Sequence, residues 1–281
     1  MKKIWTAEGA EKILVALGIE KVEDAWRPGF PGELVNDRGD RQVIRIEVPD
    51  WERAIYLKRW RFPPGSPARF LPGKSALRNR GASEHRNLKD LASLGIRVPR
   101  PLFFGEERGL FGPVASVLGL EDLAGYVCSR DWGKEHPEGL QAVGRGVGRI
   151  LGSLHAAGIF HRSPGLKHFY LDPLDPDAPF ALLDVPRLDR TDPHSSTYRV
   201  QLGMESPCPE RDLSKTILAI RGAFPDAGTI EPAFWEGYLS TVGRKDEPDT
   251  LKETVEERTR KRQTERQERA ARKDGLKTER R

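Results

Sequence analysis

A lysine closing one apolar strand, a carboxylate on a helix that could reach it, and an aspartate closing a second apolar strand are parts that can move a phosphoryl group. Transfer from ATP needs a cation on the phosphates, a partner to hold that cation, metal-binding groups and something to position the acceptor hydroxyl. Ala54-Ile55-Tyr56-Leu57 run into Lys58. From the end of a buried strand its ammonium can reach bound phosphates, and from an edge strand it can equally snorkel into water. Glu84 reads as part of a first helical turn, where it either pairs with Lys58 or complements the helix dipole. Phe180-Ala181-Leu182-Leu183 ends in Asp184, a common arrangement for holding a divalent metal beside phosphates. Between these segments, Leu154-His155-Ala156-Ala157-Gly158-Ile159-Phe160-His161-Arg162-Ser163 leaves a helix and enters a loop. A metal site built from His155, His161 and His168 is disfavoured, because a helix–loop break interrupts their spacings of six and seven.

The elements that must position these residues follow from the apolar periodicity. Residues 1–30 carry a helical pattern through Ile13, Leu14, Leu17 and Ile19. Val43 to Val48 and Ala54 to Trp60 read as two strands joined by the Pro49-Asp50 turn. Phe62 to Gly81, rich in Pro, Gly and Arg, reads as a loop, with a helix from Ser83 to Gly95 that carries Leu88, Leu91 and Leu94 on one face. Leu102 to Phe104 and Val114 to Leu118 read as another strand pair. Val143 to His155 is a buried helix, Gly158 to Leu171 a loop, and Ala181 to Val185 a short strand. Asp212 to Phe224 and Pro232 to Val242 are two more helices. Strands first and helices after predict an α+β, bilobal molecule with a cleft.

Charge sets limits on partners. The chain has 281 residues and a net charge of +5, and Leu251 to Arg281 alone carries 12 Lys/Arg against 7 Asp/Glu. The body is therefore neutral, and no nucleic-acid partner is expected from the basic isoelectric point. Leu251, Val255 and Leu276 form no stripe wide enough to dock this tail firmly. The tail is either a solvated helix with Glu–Arg pairs or a basic arm for anionic headgroups. No apolar run is long enough for a transmembrane helix, and MKKIW is followed by Glu8 and Glu11 rather than a signal-peptide core. Two cysteines, Cys128 and Cys208, suit reduced thiols in a cytoplasmic protein.

The order of these segments resembles the protein-kinase-like superfamily, and within it the lipopolysaccharide core kinases that phosphorylate heptose or 3-deoxy-octulosonate. The matching residues are Tyr56-Leu57-Lys58-Arg59, Ser83-Glu84-His85-Arg86-Asn87-Leu88, Gly95-Ile96-Arg97-Val98-Pro99-Arg100-Pro101, Leu154 to Ile159, His161-Arg162, His168-Phe169-Tyr170-Leu171 and Leu182-Leu183-Asp184. Arg211-Asp212-Leu213 resembles the family's Lys-Asp-Leu in a later helix.

The resemblance implies a small β-rich N-lobe and a mainly helical C-lobe. The expected division is a helical extension over 1–30, N-lobe and hinge over 31–122, C-lobe over 123–243 and a charged tail over 244–281. It implies ATP and Mg2+ as cofactors. Lys58 would bind the phosphates, held by Glu84, and Gly39 would lie in a reduced phosphate loop within Asn36-Asp37-Arg38-Gly39-Asp40. Leu118 and Leu120 would lie in the adenine hinge, Ser116 to Asp122. His168 and Asp184 would bind metal, and His161 and Arg162 would shape the catalytic loop. The acceptor would be a sugar of lipopolysaccharide core, reached from the cytoplasm at the inner face of the bacterial cytoplasmic membrane. One departure stands out: where the family has a catalytic-loop Asp after the Arg, this chain has Ser163, followed by Pro164-Gly165. A serine hydroxyl is no useful general base near neutral pH. Either a handicapped kinase, with a carboxylate such as Asp172 standing in, or a pseudokinase follows. The oligomeric state is left open.

Overall fold

The computed structural model describes residues 4–61, 79–109, 112–190, 207–224, 227–243 and 248–278. Most of the loop expected over 62–81 lies outside the described residues. The chain forms two compact units, Met1–Tyr126 with Ala181–Arg187, and Val127–Phe180 with Leu188–Arg281.

The first unit is built on a six-stranded antiparallel sheet. Its strands are β1 (Trp5–Thr6), β2 (Glu33–Asp37), β3 (Arg41–Ile46), β4 (Ile55–Arg61), β5 (Pro101–Gly109) and β6 (Gly112–Glu121), in spatial order β1-β5-β6-β4-β3-β2. Alternation along β4 assigns the two faces. Ile55 and Leu57 point to one face, where they pack with Leu102, Phe103 and Val117 under Ile13 of helix α1 (Glu11–Leu17) and Val22 and Ala25 of a 3-10 turn, Val22–Trp26. The N-terminal segment is thus part of this core rather than an appendage, and β1 adds an edge strand beside β5. Arg59 fastens it further: its guanidinium lies 4.5 Å from the Trp26 ring and donates to Ala25 O.

Tyr56, Lys58 and Trp60 take the other face, covered by helix α2 (Arg80–Ser93). This helix starts three residues before the expected Ser83. The reason is Asn79, whose Oδ1 accepts from the Gly81 and Ala82 amides at 2.9 and 3.3 Å and from Ser116 Oγ of β6 at 2.9 Å. A cap is ordinarily worth about 0.5–2 kcal/mol, and this one also pins the helix to the sheet. A Cβ on Gly81 would lie 2.9 Å from both Ser116 and Trp60, so only glycine permits the first turn this close. Leu88 and Leu91 are buried as expected, whereas Leu94 is half exposed at the C-cap. Gly95, at φ 76°, ends the helix.

The second unit is mainly helical. It holds β7 (Val127–Cys128), α3 (Ser129–Glu135), α4 (Leu140–Ala156), β8 (Ile159–Phe160), β9 (Phe169–Leu171), β10 (Asp189–Arg190), α5 (Pro209–Ala223), α6 (Ala227–Val242) and α7 (Pro248–Thr278). β7 pairs with β9 and β8 with β10, both antiparallel. The segment expected as loop over 158–171 therefore contains two short strands. Val143, Val147, Leu151 and Leu154 bury one side of α4. Its other contact surface is glycine: Cβ atoms on Gly144, Gly148 and Gly152 would fall 2.5, 2.1 and 2.6 Å from backbone oxygens of Ile230, Phe234 and Tyr238 in α6. Spacing of four puts these glycines on one helical stripe, so the two helix backbones approach closely.

The tail departs from expectation. Val255 and Thr259 of α7 are buried, Arg221 of α5 bridges Glu231 and Glu256, and Arg262 Nε lies 3.2 Å from Ser214 Oγ. Docking needs no wide apolar stripe here, because two small residues one turn apart fit against α5 and ion pairs flank them. The side chains of Lys261, Arg266, Arg269 and Arg272 stay exposed. Among the described residues no helix is long and apolar enough to cross a membrane.

Candidate functional site

In the first unit, β4 carries Lys58 onto the α2 face, and the Asn79 cap sets α2 so that Glu84 lies over it. Lys58 Nζ donates to Glu84 Oε1 at 2.5 Å, and both are largely buried, with side chains 11% and 1% exposed. The helix has no acid in its first turn. Glu84 is one turn further in, so the dipole alternative falls away and its charge is spent on the lysine. Breaking such a buried pair costs about 3–5 kcal/mol.

Asp184 closes the same cluster. Ala181–Leu182 is extended, with Leu182 N bonded to Arg97 O at 2.9 Å, but the strand ends there and Asp184 takes φ 56°. The expected strand to Val185 is cut short because the chain turns through the left-handed region at the aspartate. Asn87 of α2 holds the turn by donating to Val185 O at 2.6 Å. Asp184 Oδ1 then lies 3.9 Å from Lys58 Nζ and 3.4 Å from Arg41 NH2. Arg41 is a residue that the sequence did not mark. It shares the Lys58 face because Arg41 and Val43 of β3 pair with Trp60 and Lys58 of β4.

Leu118 and Leu120 lie on β6 opposite Lys58 and Tyr56, and both are buried on that face. Gly39 sits at φ 73° in the β2–β3 turn. Its amide donates to Asp37 Oδ1 at 2.7 Å, and that bond, followed by one from Gln42, holds the Asp37 carboxyl below the usual range.

The cluster suits ATP phosphates. The Lys58 ammonium has three donors; Glu84 takes one, and Asp184 at 3.9 Å lies beyond hydrogen bonding. For a metal the protein offers little: among the described residues no group of three or more His, Cys, Asp or Glu could hold one. Mg2+ keeps waters and phosphate oxygens and takes one or two carboxylates, and Asp184 is a carboxylate that this cluster could offer.

In the second unit, His161, Arg162 and Ser163 form a tight turn after β8, with Arg162 at φ 65°. The backbone is clamped from α5. Asp212, fully buried, accepts from the His161 and Arg162 amides at 2.5 and 3.3 Å. Its Oδ1 accepts from Arg211 Nε at 3.2 Å, and His155 Nε2 lies 3.7 Å from Oδ2. Burial pushes the Asp212 carboxyl up, but the neighbouring His155 ring and the Arg211 charge outweigh it and hold it below the usual range. Arg211 also reaches Asp189 at 3.0 Å, and Arg162 Nε lies 3.6 Å from the same carboxylate. Lys215 donates to Arg162 O. The matched Arg211-Asp212-Leu213 segment thus serves as the loop's anchor, a role sequence spacing could not supply.

Ser163 is exposed, its amide bonded to His161 O at 2.8 Å. His168 ends a 3-10 turn, Leu166–His168, and its ring stacks on His161 at 5.6 Å. Asp172 is partly engaged, its Oδ1 accepting from the Leu174 amide at 3.0 Å.

Comparison with known proteins fits this arrangement. The family model "Lipopolysaccharide kinase (Kdo/WaaP) family" matches residues 74–201. No curated protein matches the chain. Among solved structures, WaaP in complex with acyl carrier protein superposes with a TM-score of 0.60 at 18% identity, over 92% of this chain and 98% of that one. The resemblance read from the sequence therefore holds: the chain has the WaaP kinase-like fold, an α+β arrangement of β-rich N-terminal sheet and helical C-terminal part, and over residues 74–201 it is similar to the lipopolysaccharide kinase (Kdo/WaaP) family.

Proposed function

We propose that the protein is an ATP- and Mg2+-dependent phosphotransferase that moves the γ-phosphate to a sugar hydroxyl of lipopolysaccharide core. The observation that carries this reading is the buried Lys58–Glu84 pair beside Asp184. A buried charged pair is weak evidence for stability as such, and burying one makes sense where the lysine must be aimed. Lys58 orients phosphate oxygens, Glu84 fixes the ammonium, and Asp184 offers a carboxylate to the metal. Bound metal would neutralise charge developing on the phosphates. Leu118 and Leu120 give the apolar surface for the base. The Asp212-clamped turn keeps Arg162 beside Asp189 and leaves Ser163 exposed at the position that would orient the acceptor.

A thermal shift with ATP, with and without Mg2+, tests the nucleotide site, since ligand bound to the native state raises the melting temperature. A magnesium-dependent rise absent from Lys58→Ala is expected; no rise in the wild type at millimolar ATP would overturn the reading.

Ser163 supports a second reading, a pseudokinase that binds without transfer, because the anchored turn presents a hydroxyl where a carboxylate would position the acceptor. Ser163→Asp separates the two. The phosphotransferase reading expects turnover to rise by on the order of 10²–10⁴, the range of a general acid or base; an inert variant that still binds ATP would favour the second. The exposed arginines and lysine of outer α7 support a place at an anionic membrane surface.

A further inference from the structure

A glycine-rich loop grips phosphates with free backbone N–H groups. In this chain the equivalent β2–β3 turn has none left to offer. The Gly39 amide donates to Asp37 Oδ1 at 2.7 Å, the Asp40 amide to Arg38 O at 2.9 Å, and the Arg38 amide to Arg41 O at 2.9 Å. Asp40 O is taken in turn by the Arg61 amide at 2.9 Å. The turn is closed on itself, so a phosphate chain beside Lys58 needs another donor from this side.

Arg41 is placed to be that donor. It follows the turn directly and shares the sheet face of Lys58. Its side chain is 17% exposed and its guanidinium lies 5.9 Å from the Trp60 ring. Its Nε is buried with no hydrogen-bond partner. Asp184 Oδ1, at 3.4 Å from NH2, is at the long end of hydrogen bonding. Arg41, Lys58, Glu84 and Asp184 together balance to zero formal charge, with Glu84 on Lys58 and Asp184 beside both cations. A metal on Asp184 would compete with Arg41 for that carboxylate, and a guanidinium fork matches phosphate oxygens.

We propose that Arg41 is a phosphate-binding residue that takes over the role of the missing glycine-rich loop, with Asp184 and the nucleotide phosphates as alternative partners for its guanidinium. The proposal rests on the phosphotransferase reading above and adds a residue that this reading did not contain.

The test is calorimetric titration of the full chain with ATP and with adenosine, each with and without Mg2+, for wild type, Arg41→Gln and Arg41→Lys. Charge-assisted hydrogen bonds predict a loss of about 10- to 100-fold in ATP affinity for Arg41→Gln, with a smaller loss for Arg41→Lys. Adenosine, which has no phosphate, should bind all three equally and thereby shows that the site is folded. Equal ATP affinity in wild type and Arg41→Gln would overturn the proposal alone. Loss of adenosine binding together with ATP binding would also overturn it, by making Arg41 structural. A wild type that binds adenosine but not ATP, or neither, would overturn the phosphotransferase reading and this proposal with it.

Discussion

Replacing Asp212 by Asn removes one charge from the centre of the second unit and leaves its shape almost unchanged. The carboxylate is fully buried, accepts from two backbone amides at 2.5 and 3.3 Å, and faces Arg211 at 3.2 Å and His155 at 3.7 Å. The amide can keep one acceptor oxygen, but it leaves Arg211 with Asp189 alone. Removing one partner of a buried pair costs about 3–5 kcal/mol. With a urea dependence of about 2–3 kcal/mol/M, the unfolding midpoint should fall by about 1–2.5 M. The pH dependence has a fixed sign. The folded carboxyl sits below its ordinary value, so the stabilisation is complete above about pH 4 and is lost as pH falls through the folded pKa. The gap between wild type and Asp212→Asn should therefore be widest at neutral pH and close in strong acid. A midpoint shift below about 0.3 M at pH 7, equivalent to under about 1 kcal/mol, would refute the anchoring role.

Three further outcomes follow from packing and charge. Gly148→Ala should destabilise by about 1–3 kcal/mol in spite of alanine's better helix propensity, because its Cβ would lie 2.1 Å from Phe234 O; equal stability in urea would contradict the close helix approach. His85 packs between Trp5 and Phe104, and burial, then Lys89, lowers its pKa to about 4. It stays neutral in the folded state while the unfolded chain protonates near pH 6.5, so stability should fall as pH drops from about 6.5 to 4. His85→Gln should flatten that slope, and an NMR titration of the His85 ring with a midpoint near 6.5 would contradict it. Deleting residues 264–281, beyond the docked turns of α7, should reduce sedimentation with anionic vesicles at low salt and less so at high salt; unchanged binding would remove the membrane assignment.

The residues that carry formal charge into the site were legible because their local pattern is strong. Lys58 lies in an alternating strand, Asp184 follows an apolar run, and Leu88 and Leu91 repeat on a helix. What organises them was not legible, because it acts over long sequence distances. Arg41 meets Asp184 across 143 positions, and Asp212 clamps His161 across 51. Asn79 lies inside the stretch from Phe62 to Gly81 that reads as loop, and only Ser116, 37 positions on, makes its cap part of the sheet. Gly144, Gly148 and Gly152 repeat every four residues, yet glycine inside a helix lowers propensity by about 1 kcal/mol and gives no hint of the facing backbone. The tail misled for a related reason: Val255 and Thr259 are too few to make an apolar stripe, and the ion pairs to Arg221 exist only once α5, α6 and α7 have come together.

The central claim is phosphoryl transfer, and incubation with γ-labelled ATP, Mg2+ and dephosphorylated lipopolysaccharide core tests it most directly. The account predicts label in the saccharide with wild type, none with Lys58→Ala, and more with Ser163→Asp. Absence of label from the saccharide with both wild type and Ser163→Asp, in protein that binds ATP, would contradict it.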